Sequence, residues 1–520
     1  MIRAASFFEW KKKARSDGMK YIIDGKTMKA ADGYTIGTIG LPSLVLMERA
    51  ALKVVEAAEA ESVDLSQSLV VCGSGNNGGD GFAVGRLLLE RGNQVTAVLA
   101  GNPDHCTEET KTQIRIFEAV GGTVVNKIPE KSYTAVFDAV FGIGLSRAVE
   151  GKYALLLNQM NDLDAVKIAV DIPSGVDAGT GEILGTAFRA DLTVTFAYQK
   201  AGMVLYPGAF QAGKVCVGDI GIYLRDQVEG TRYLTYDRAD LPGLCPKRKE
   251  DANKGTYGKV LMITGSHGMA GAAVLSGKAA YRMGSGLVRI LTPESNRTVI
   301  QTMLPEAVLT PYGECPEEEL EEILDWADVI CAGCGLGTGP DACMIMEGLL
   351  RYLAVHPKHC VVDADGLNII SGMEKEKREA LLKAAGGCLI FTPHVKEFAR
   401  LLGESTEETK KNRIGLAQQY AKSYNIILTA KDARTIVAGK DQIPYLNTSG
   451  NGAMAKAGSG DVLAGMITGC LALGMDRFSA AALGVFVHGL CGDEARQKLA
   501  AHCVLAGDLI EMIPAVLREI

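Results

Sequence analysis

The sequence predicts an α/β protein of two domains, and three observations carry that prediction. Apolar runs of strand length alternate with segments of helical periodicity, the pattern of parallel sheets. Aromatic residues make up only 6% of the chain and hydrophobic residues 47%, with 61 glycines available for tight strand-to-helix turns. At 520 residues the chain exceeds one ordinary domain. The alternation breaks once, around residues 236–256, where "YDRADLPGLCPKRKEDANKGTYG" is charged, holds two prolines and lacks periodicity. Domains are therefore expected over residues 19–236 and 237–520. They are preceded by a basic extension, residues 1–18 ("MIRAASFFEWKKKARSDG"), which the sequence marks as a flexible arm.

In the first half, "SLVVCG" reads as a buried strand and "GFAVGRLLLERG" as a helix that stops at Gly92. "QVTAVLAG" is a second strand, and Thr107–Val120 a helix with acids at its start and Gly121-Gly122 as its stop. "TAVFDAVFG" and "VKIAVDIPSG" are further strands, each delivering an aspartate near its C-terminal end, where parallel sheets gather ligands. A second series begins at "KVLMITGSHGMAGAA" and runs through "ADVICAGCGLGTG", "CVVDADGLN", "GCLIFTPHVKE" and "YNIILTAKD" to "AGSGDVLAGMITG".

Composition excludes some classes. A net charge of -7 argues against bulk binding of nucleic acid or anionic membrane. The longest apolar run, "VLAGMITGCLALGM", is too short and glycine-rich to span a bilayer, and no signal peptide is visible. The 13 cysteines form no dense disulfide pattern, and several (Cys216, Cys388, Cys470) sit in apolar runs. Cys331 and Cys334 form a lone CxxC without the second pair a structural zinc site needs. A reducing cytoplasm is the expected setting.

The stretch "VCGSGNNGGDGF" contains GxGxxG, the dinucleotide fingerprint of dehydrogenases. That reading needs an acidic residue at the end of the second strand for the ribose hydroxyls, and here the strand ends in Ala100-Gly101. Hydride transfer loses its support. What remains is Asn76, Asn77 and Asp80 in a glycine-rich turn before a helix, where backbone N–H groups cradle phosphate and amide oxygens ligate a hard cation. A turn that merely requires glycine is the bland alternative. Asp138, Asp171 and Ser174 converge on the same sheet edge, suiting acid/base work beside a bound cation, although each aspartate alone fits a cap or turn.

In the second half, Gly458, Ser459 and Gly460 precede an apolar helix whose free N–H groups and dipole form an anion hole. Asp461 stands in its first turn, placed to accept a hydroxyl proton during phosphoryl transfer, with a helix cap as the plain alternative. A P-loop is absent: "GKT" at 25–27 follows Lys20 where glycine is required. Asp363 and Asp365 are candidates to position magnesium waters and equally for turn or cap roles. His394, taken alone, fits a structural histidine.

"GSGNNGGDG", "DAVFGIG" and "DIPSGVD", in this order, resemble the NAD(P)H-hydrate epimerase family. The resemblance implies a Rossmann-like three-layer sandwich that epimerises R and S NAD(P)H hydrates. By it, Asn76, Asn77, Gly78, Gly79 and Asp80 bind substrate together with Asp171. So do Gly142, Ile143, Gly144, Leu145, Ser146, Arg147 and Ala148. Asn77, Asp138 and Ser174 would hold potassium, and Asp138 is expected to be the acid/base at the hydrated ring carbon.

"GSHGMAGAA", "GCGLGTG", "DADGLN", "TPHVKE" and "GSGDVLAG" resemble the ribokinase-like ADP- or ATP-dependent NAD(P)H-hydrate dehydratases. This implies an S-hydrate site at Ala272, Gly337, His394 and Asp461, with Asp461 catalytic. Nucleotide would meet Lys431, Asp432, Ala433, Arg434 and Thr435, and the hole Gly458, Ser459 and Gly460. ADP with Mg2+ is the expected co-substrate. Asp432 departs from the Lys-Gly usual in the family, and a carboxylate there repels phosphate unless it points away. A proline common in the loop before the anion hole is missing from "SGNGAMAKAGSGD".

The whole chain then reads as a two-activity repair enzyme for hydrated NADH and NADPH, with no nucleic-acid or membrane partner and as a homo-oligomer. A ribokinase-type vitamin-precursor or sugar kinase fused to a nucleotide-binding module is the enzyme rival. A nucleotide-sensing scaffold is the non-enzyme rival.

Overall fold

The computed structural model describes residues 20–314, 316 and 318–519, and the extension expected at 1–18 lies outside them. The chain divides into two compact units, Tyr21–Tyr233 and Leu234 onward, a few residues before the break read from the sequence.

The first unit is built on a seven-stranded sheet: β1 (Gln67–Cys72), β2 (Gln94–Leu99), β3 (Val124–Val125), β4 (Ala135–Ala139), β5 (Val166–Val170), β6 (Leu192–Phe196) and β7 (Lys214–Gly218). All pairs are parallel, in the spatial order β3-β2-β1-β4-β5-β6-β7. Both faces are covered, which is why these strands read as continuous apolar runs rather than as alternation. Val70, Cys72, Phe137 and Ile168 pack under helices α1 (Ser43–Ala60), α2 (Asn76–Glu90) and α3 (Glu108–Ala119). Leu69, Val71, Val136 and Ala169 face α4 (Gly151–Asp162). The result is a three-layer sandwich.

One sequence expectation changes here. Asn76–Asp80 are not a turn ahead of a helix but the opening turn of α2, whose N-cap is Gly75. The glycines permit close docking on the strand ends. A Cβ on Gly78 would stand 1.9 Å from the Gly73 carbonyl oxygen, and one on Gly73 2.0 Å from that of Val140.

The second unit carries parallel strands β8 (Lys259–Ile263), β9 (Leu287–Pro293), β10 (Val308–Tyr312), β11 (Val329–Ala332), β12 (His359–Val362), β13 (Leu389–Phe391) and β14 (Ile427–Ala430). Antiparallel β15 (Ile436–Ala438) and β16 (Tyr445–Leu446) extend it, in the order β10-β9-β8-β11-β12-β13-β14-β15-β16. Val260, Cys331 and Val361 pack on α5 (Ala270–Arg282), α9 (Ser459–Ala472), α10 (Arg477–Lys498) and α11 (Ala506–Val516). Leu261, Ile330 and Val362 pack on α6 (Pro340–Val355), α7 (Asp365–Gly372) and α8 (Val395–Leu402). Every residue of α9 from Val462 to Ala472 is buried. Small residues seat it: a Cβ on Gly465 would meet the Ser276 carbonyl oxygen at 2.1 Å. No helix among the described residues is long and apolar enough to cross a membrane.

Candidate active sites

In the first unit a cavity of about 760 Å³ opens at the C-terminal ends of β1, β4, β5 and β6. Gly73–Asn77, Asp80, Val140–Arg147, Asp171 and Phe196 line it, together with Asp32, Leu46 and Met47. Asn76, Asn77 and Asp80 of the first turn of α2 line this space, bringing the positive end of a 15-residue helix to it. Exposed Arg147 sits at the rim.

Asp171 adopts φ +69° at the end of β5, a conformation uncommon outside glycine. Its Oδ1 accepts hydrogen bonds from Thr195 Oγ1 (3.1 Å) and the Phe196 N–H (3.2 Å), and from the Lys200 ammonium at 2.5 Å. Lys200 is fully buried, donating also to Thr195 Oγ1 and the Phe196 carbonyl. Burial lowers the Lys200 pKa, against the pull of Asp171. Asp80 is pushed well above the ordinary carboxyl range by burial first, then by Asp171 and Asp32, with Lys200 opposing. Burial, then Asp171, also raises Asp32. Three carboxyls, Asp32, Asp80 and Asp171, therefore line one cavity, with the Lys200 ammonium behind Asp171.

Asp138 lies elsewhere. Its side chain is fully buried and absent from the cavity wall. Ser174 donates to it from both its hydroxyl (2.6 Å) and its N–H (2.7 Å), and the Val140 N–H adds a third bond (3.1 Å). Burial lifts it to about 6 despite these donors. The sequence expected Asp138 to work as acid/base at the substrate ring; Asp171 and Asp80 line the cavity, and Asp138 lies behind its wall. Nor do Gly78, Gly79 and Ala148 line the wall; the two glycines serve docking of α2 instead.

In the second unit, the chain enters α9 through Gly458 at φ +88°. The Gly460 and Asp461 N–H groups have no partner among the described residues, leaving an anion hole at the end of a 14-residue helix. The Lys431 ammonium, at the end of β14, lies 2.6 Å from Asp363 Oδ1, which Thr392 Oγ1 also meets at 2.7 Å. A Cβ on Gly460 would stand 3.2 Å from the Lys431 Nζ and 3.4 Å from Asp363 Oδ2, so glycine keeps the space between them open. Burial, followed by the Asp363 charge, raises Asp461 to about 6. Gly337 (φ +76°) donates its N–H to Asp365 Oδ2 at 2.8 Å. A Cβ on Gly335 would meet that of Ala272 at 2.7 Å, so this glycine turn rides on the start of α5.

Two candidates take definite structural roles. His394 is the N-cap of α8, its Nδ1 accepting from the Lys396 and Glu397 N–H groups at 3.1 and 3.2 Å. Asp432 turns toward buried Arg413 in an ion pair, and its Oδ1 accepts from the Ala433 N–H. The charge that sequence set against phosphate is thus matched by a guanidinium, which in turn holds the Arg434 carbonyl at 2.7 Å.

Family comparisons agree with both halves. A family model described as "YjeF-related protein N-terminus" matches residues 43–202, and one described as "NAD(P)H-hydrate dehydratase" matches 260–515. The bifunctional NAD(P)H-hydrate repair enzyme of Moorella thermoacetica is 36% identical, covering 96% of this chain and 97% of its own. This chain belongs to the bifunctional NAD(P)H-hydrate repair enzyme family. The Thermofilum pendens member is 34% identical over 95% of each chain, and that of Escherichia coli 31% over 92% and 90%. A Bacillus subtilis ADP/ATP-dependent NAD(P)H-hydrate dehydratase crystallised with ATP/Mg2+ is 30% identical, covering 54% of this chain and 97% of its own, with a TM-score of 0.48.

Several residues at these repair-enzyme sites carry no sequence signal. Asp32 on the epimerase-half cavity wall and Lys200 behind Asp171 both lie outside the three motifs. Glu397 lies inside the "TPHVKE" motif without having been singled out there; it is buried within the field of Lys431 and Asp363, and burial raises its pKa. His488 meets Ser459 Oγ through Nε2 at 3.3 Å, and burial drives it down to about 4.

Proposed function

We propose that the unit of residues 21–233 interconverts the R and S hydrates of NADH and NADPH, and that the unit from 234 dehydrates the S form at the expense of a nucleoside diphosphate. The observation that carries this reading is the pairing of two separate constellations on one chain of the repair family. One is a carboxyl-lined cavity beside a helix N-terminus. The other is an anion hole beside a buried carboxyl of raised pKa.

In the first unit the start of α2 and Arg147 hold the pyrophosphate, placing the hydrated ring among the carboxyls. Asp80 gives its proton to the leaving hydroxyl, and the ring nitrogen supplies the electron pair as the C–O bond breaks. Water returns on the other face and surrenders a proton to Asp171, held in place by Lys200. Potassium suits Asn77, Asp138 and Ser174. The Asn77 side-chain nitrogen is buried without a partner, and an amide flip turns that orphan into an unclaimed oxygen. Asp138 meanwhile has only neutral donors. A cation there would supply the missing countercharge.

In the second unit the Gly458–Gly460 turn cradles the transferring phosphate, and Lys431 with Asp432–Thr435 contacts the nucleotide. Asp461 takes the proton of the ring hydroxyl as its oxygen attacks phosphorus. The ring nitrogen then supplies the electron pair that expels phosphate, leaving an iminium, and the adjacent ring carbon gives its proton to the departing phosphate, which restores the dihydronicotinamide. Mg2+ suits Asp363 Oδ2, which has no donor among the described residues, and would neutralise phosphate charge. ADP is the proposed donor and becomes AMP. Ala272 and Gly337 flank the hydrate, and His394 shapes the wall as a cap. A cytoplasmic homo-oligomer completes the proposal.

The test is recovery of reduced-nicotinamide absorbance from a mixed R and S hydrate pool with magnesium, potassium and ADP, then ATP. Complete recovery is expected. Recovery that stops at the S fraction removes the epimerase assignment. No recovery with either nucleotide removes the dehydratase assignment and points to a kinase that releases a stable phosphoester.

A further inference from the structure

The lone CxxC is not used by either activity. Cys331 lies within β11, one residue before its end, Cys334 follows the Gly333 turn, and both thiols are fully buried. The Cys334 sulfur and one carboxylate oxygen each from Asp363 and Asp461 all lie within 4.8 Å of one another.

We propose that Cys334, Asp363 and Asp461 form a site for a thiophilic divalent cation of the zinc or cadmium class, and that its occupation switches off dehydration. In a tetrahedral site with Zn–S near 2.3 Å and Zn–O near 2.1 Å, donors stand roughly 3.5 Å apart, so side-chain rotations of about an ångström suffice. Asp363 is only 1% exposed, yet its Oδ2 has no donor among the described residues and faces the gap that Gly460 leaves. Lys431 occupies Oδ1 and leaves Oδ2 to the metal.

The charges close as well. One thiolate, two carboxylates and the Lys431 ammonium sum to a site that a divalent ion neutralises. Binding releases the Cys334 proton to water. A sulfur donor separates this site from magnesium, which keeps oxygen ligands and six-coordination. The inhibitory consequence rests on the reading of Asp461 as the proton acceptor, because metal takes the electron pair that the hydroxyl proton needs.

The experiment titrates the full-length protein with cadmium alone, in a background carrying Cys343→Ser and Cys503→Ser to remove the exposed thiols. The ultraviolet sulfur-to-cadmium charge-transfer band is followed, and then S-hydrate dehydration and R/S epimerisation are measured. One equivalent of band at this site is expected, with dehydration down at least tenfold and epimerisation unchanged. Cys334→Ser should remove that band and shift half-inhibition at least tenfold upward, each variant being scaled to its own metal-free rate. Cys334→Ala serves where the serine variant fails to fold. A band and an inhibition curve unchanged by both variants overturn the proposal, as does an untouched dehydration rate in the metal-loaded parent. If the metal-free protein shows no dehydration, the activity reading fails, while the band still decides the site.

Discussion

Replacing Lys200 with methionine isolates the charge arrangement of the epimerase cavity. Lys200 is fully buried and its ammonium lies 2.5 Å from Asp171, so Lys200→Met leaves a buried carboxyl facing Asp80 and Asp32 with no cation. Breaking one side of a buried pair costs about 3–5 kcal/mol. The protein can limit that loss by protonating the carboxyl. Against an ordinary carboxyl pKa near 3.9, this costs about 4 kcal/mol at pH 7 and about 1.5 kcal/mol at pH 5. The stability deficit of the variant should therefore shrink as pH falls from 7 to 5, because the variant's native state binds a proton that its unfolded state gives up. Trp326 lies in the other unit, so its fluorescence cannot follow this loss. Hydrogen exchange of the β6 amides and residual epimerase activity after heating both can. Epimerisation at pH 7 should fall at least a hundredfold, with S-hydrate dehydration retained. Lys200→Met combined with Asp171→Leu should regain most of the stability and none of the epimerisation. A variant of unchanged stability, or one whose deficit is the same at both pH values, refutes the argument.

Asp461→Asn should lower S-hydrate dehydration by about 10²–10⁴ while epimerisation persists. In the parent protein, kcat/KM for dehydration should climb with pH and level off above about 6, where the raised Asp461 carboxyl has lost its proton. An asparagine variant of ordinary activity would show the proton acceptor to be another group. Asp432→Gly installs the residue usual in related dehydratases but strands buried Arg413; nucleotide KM should rise several-fold and stability fall by about 3 kcal/mol. Tighter nucleotide binding would instead mean that Asp432 repels phosphate. His488, held near 4, binds no proton in the folded state where an unfolded histidine does, so it erodes stability as pH falls from about 6.5 to 4, by up to about 3 kcal/mol. His488→Gln should flatten that part of an acid unfolding curve, and an unaltered curve removes the assignment.

The sheets were legible because strands covered on both faces leave continuous apolar runs, and because the aspartates at their ends break those runs abruptly. The anion hole was legible for a similar local reason: Gly458–Gly460 and the apolar helix lie side by side in sequence. Partnerships across the fold were not. Lys200 ends the run "TVTFAYQK" and meets Asp171 only when β6 lies beside β5. Arg413, 19 residues earlier in the chain, meets Asp432 only in the fold, so the departure from the family pattern was legible and its compensation was not. The glycines of "GSGNNGGDG" suggested a turn by composition, while close docking on Gly73 lets them begin a helix. Asp138 looked like its neighbour Asp171 in sequence; Ser174, rather than anything in its own strand, seals it away.

The anion hole at the head of α9 has no travel. Gly465 and Gly469 lock that helix against α5, where a single methyl would strike Ser276 or Met283, so the hole is an end-stop rather than a jaw. Whatever closes on a nucleotide must come from the opposite side, from the segment that Arg413 braces through Asp432 and the Arg434 carbonyl. Donor choice can therefore drift by substitution at 432–435 while the head of α9 stays as it is. Attempts to retune it from 458–461 would be working against the least yielding part of the unit.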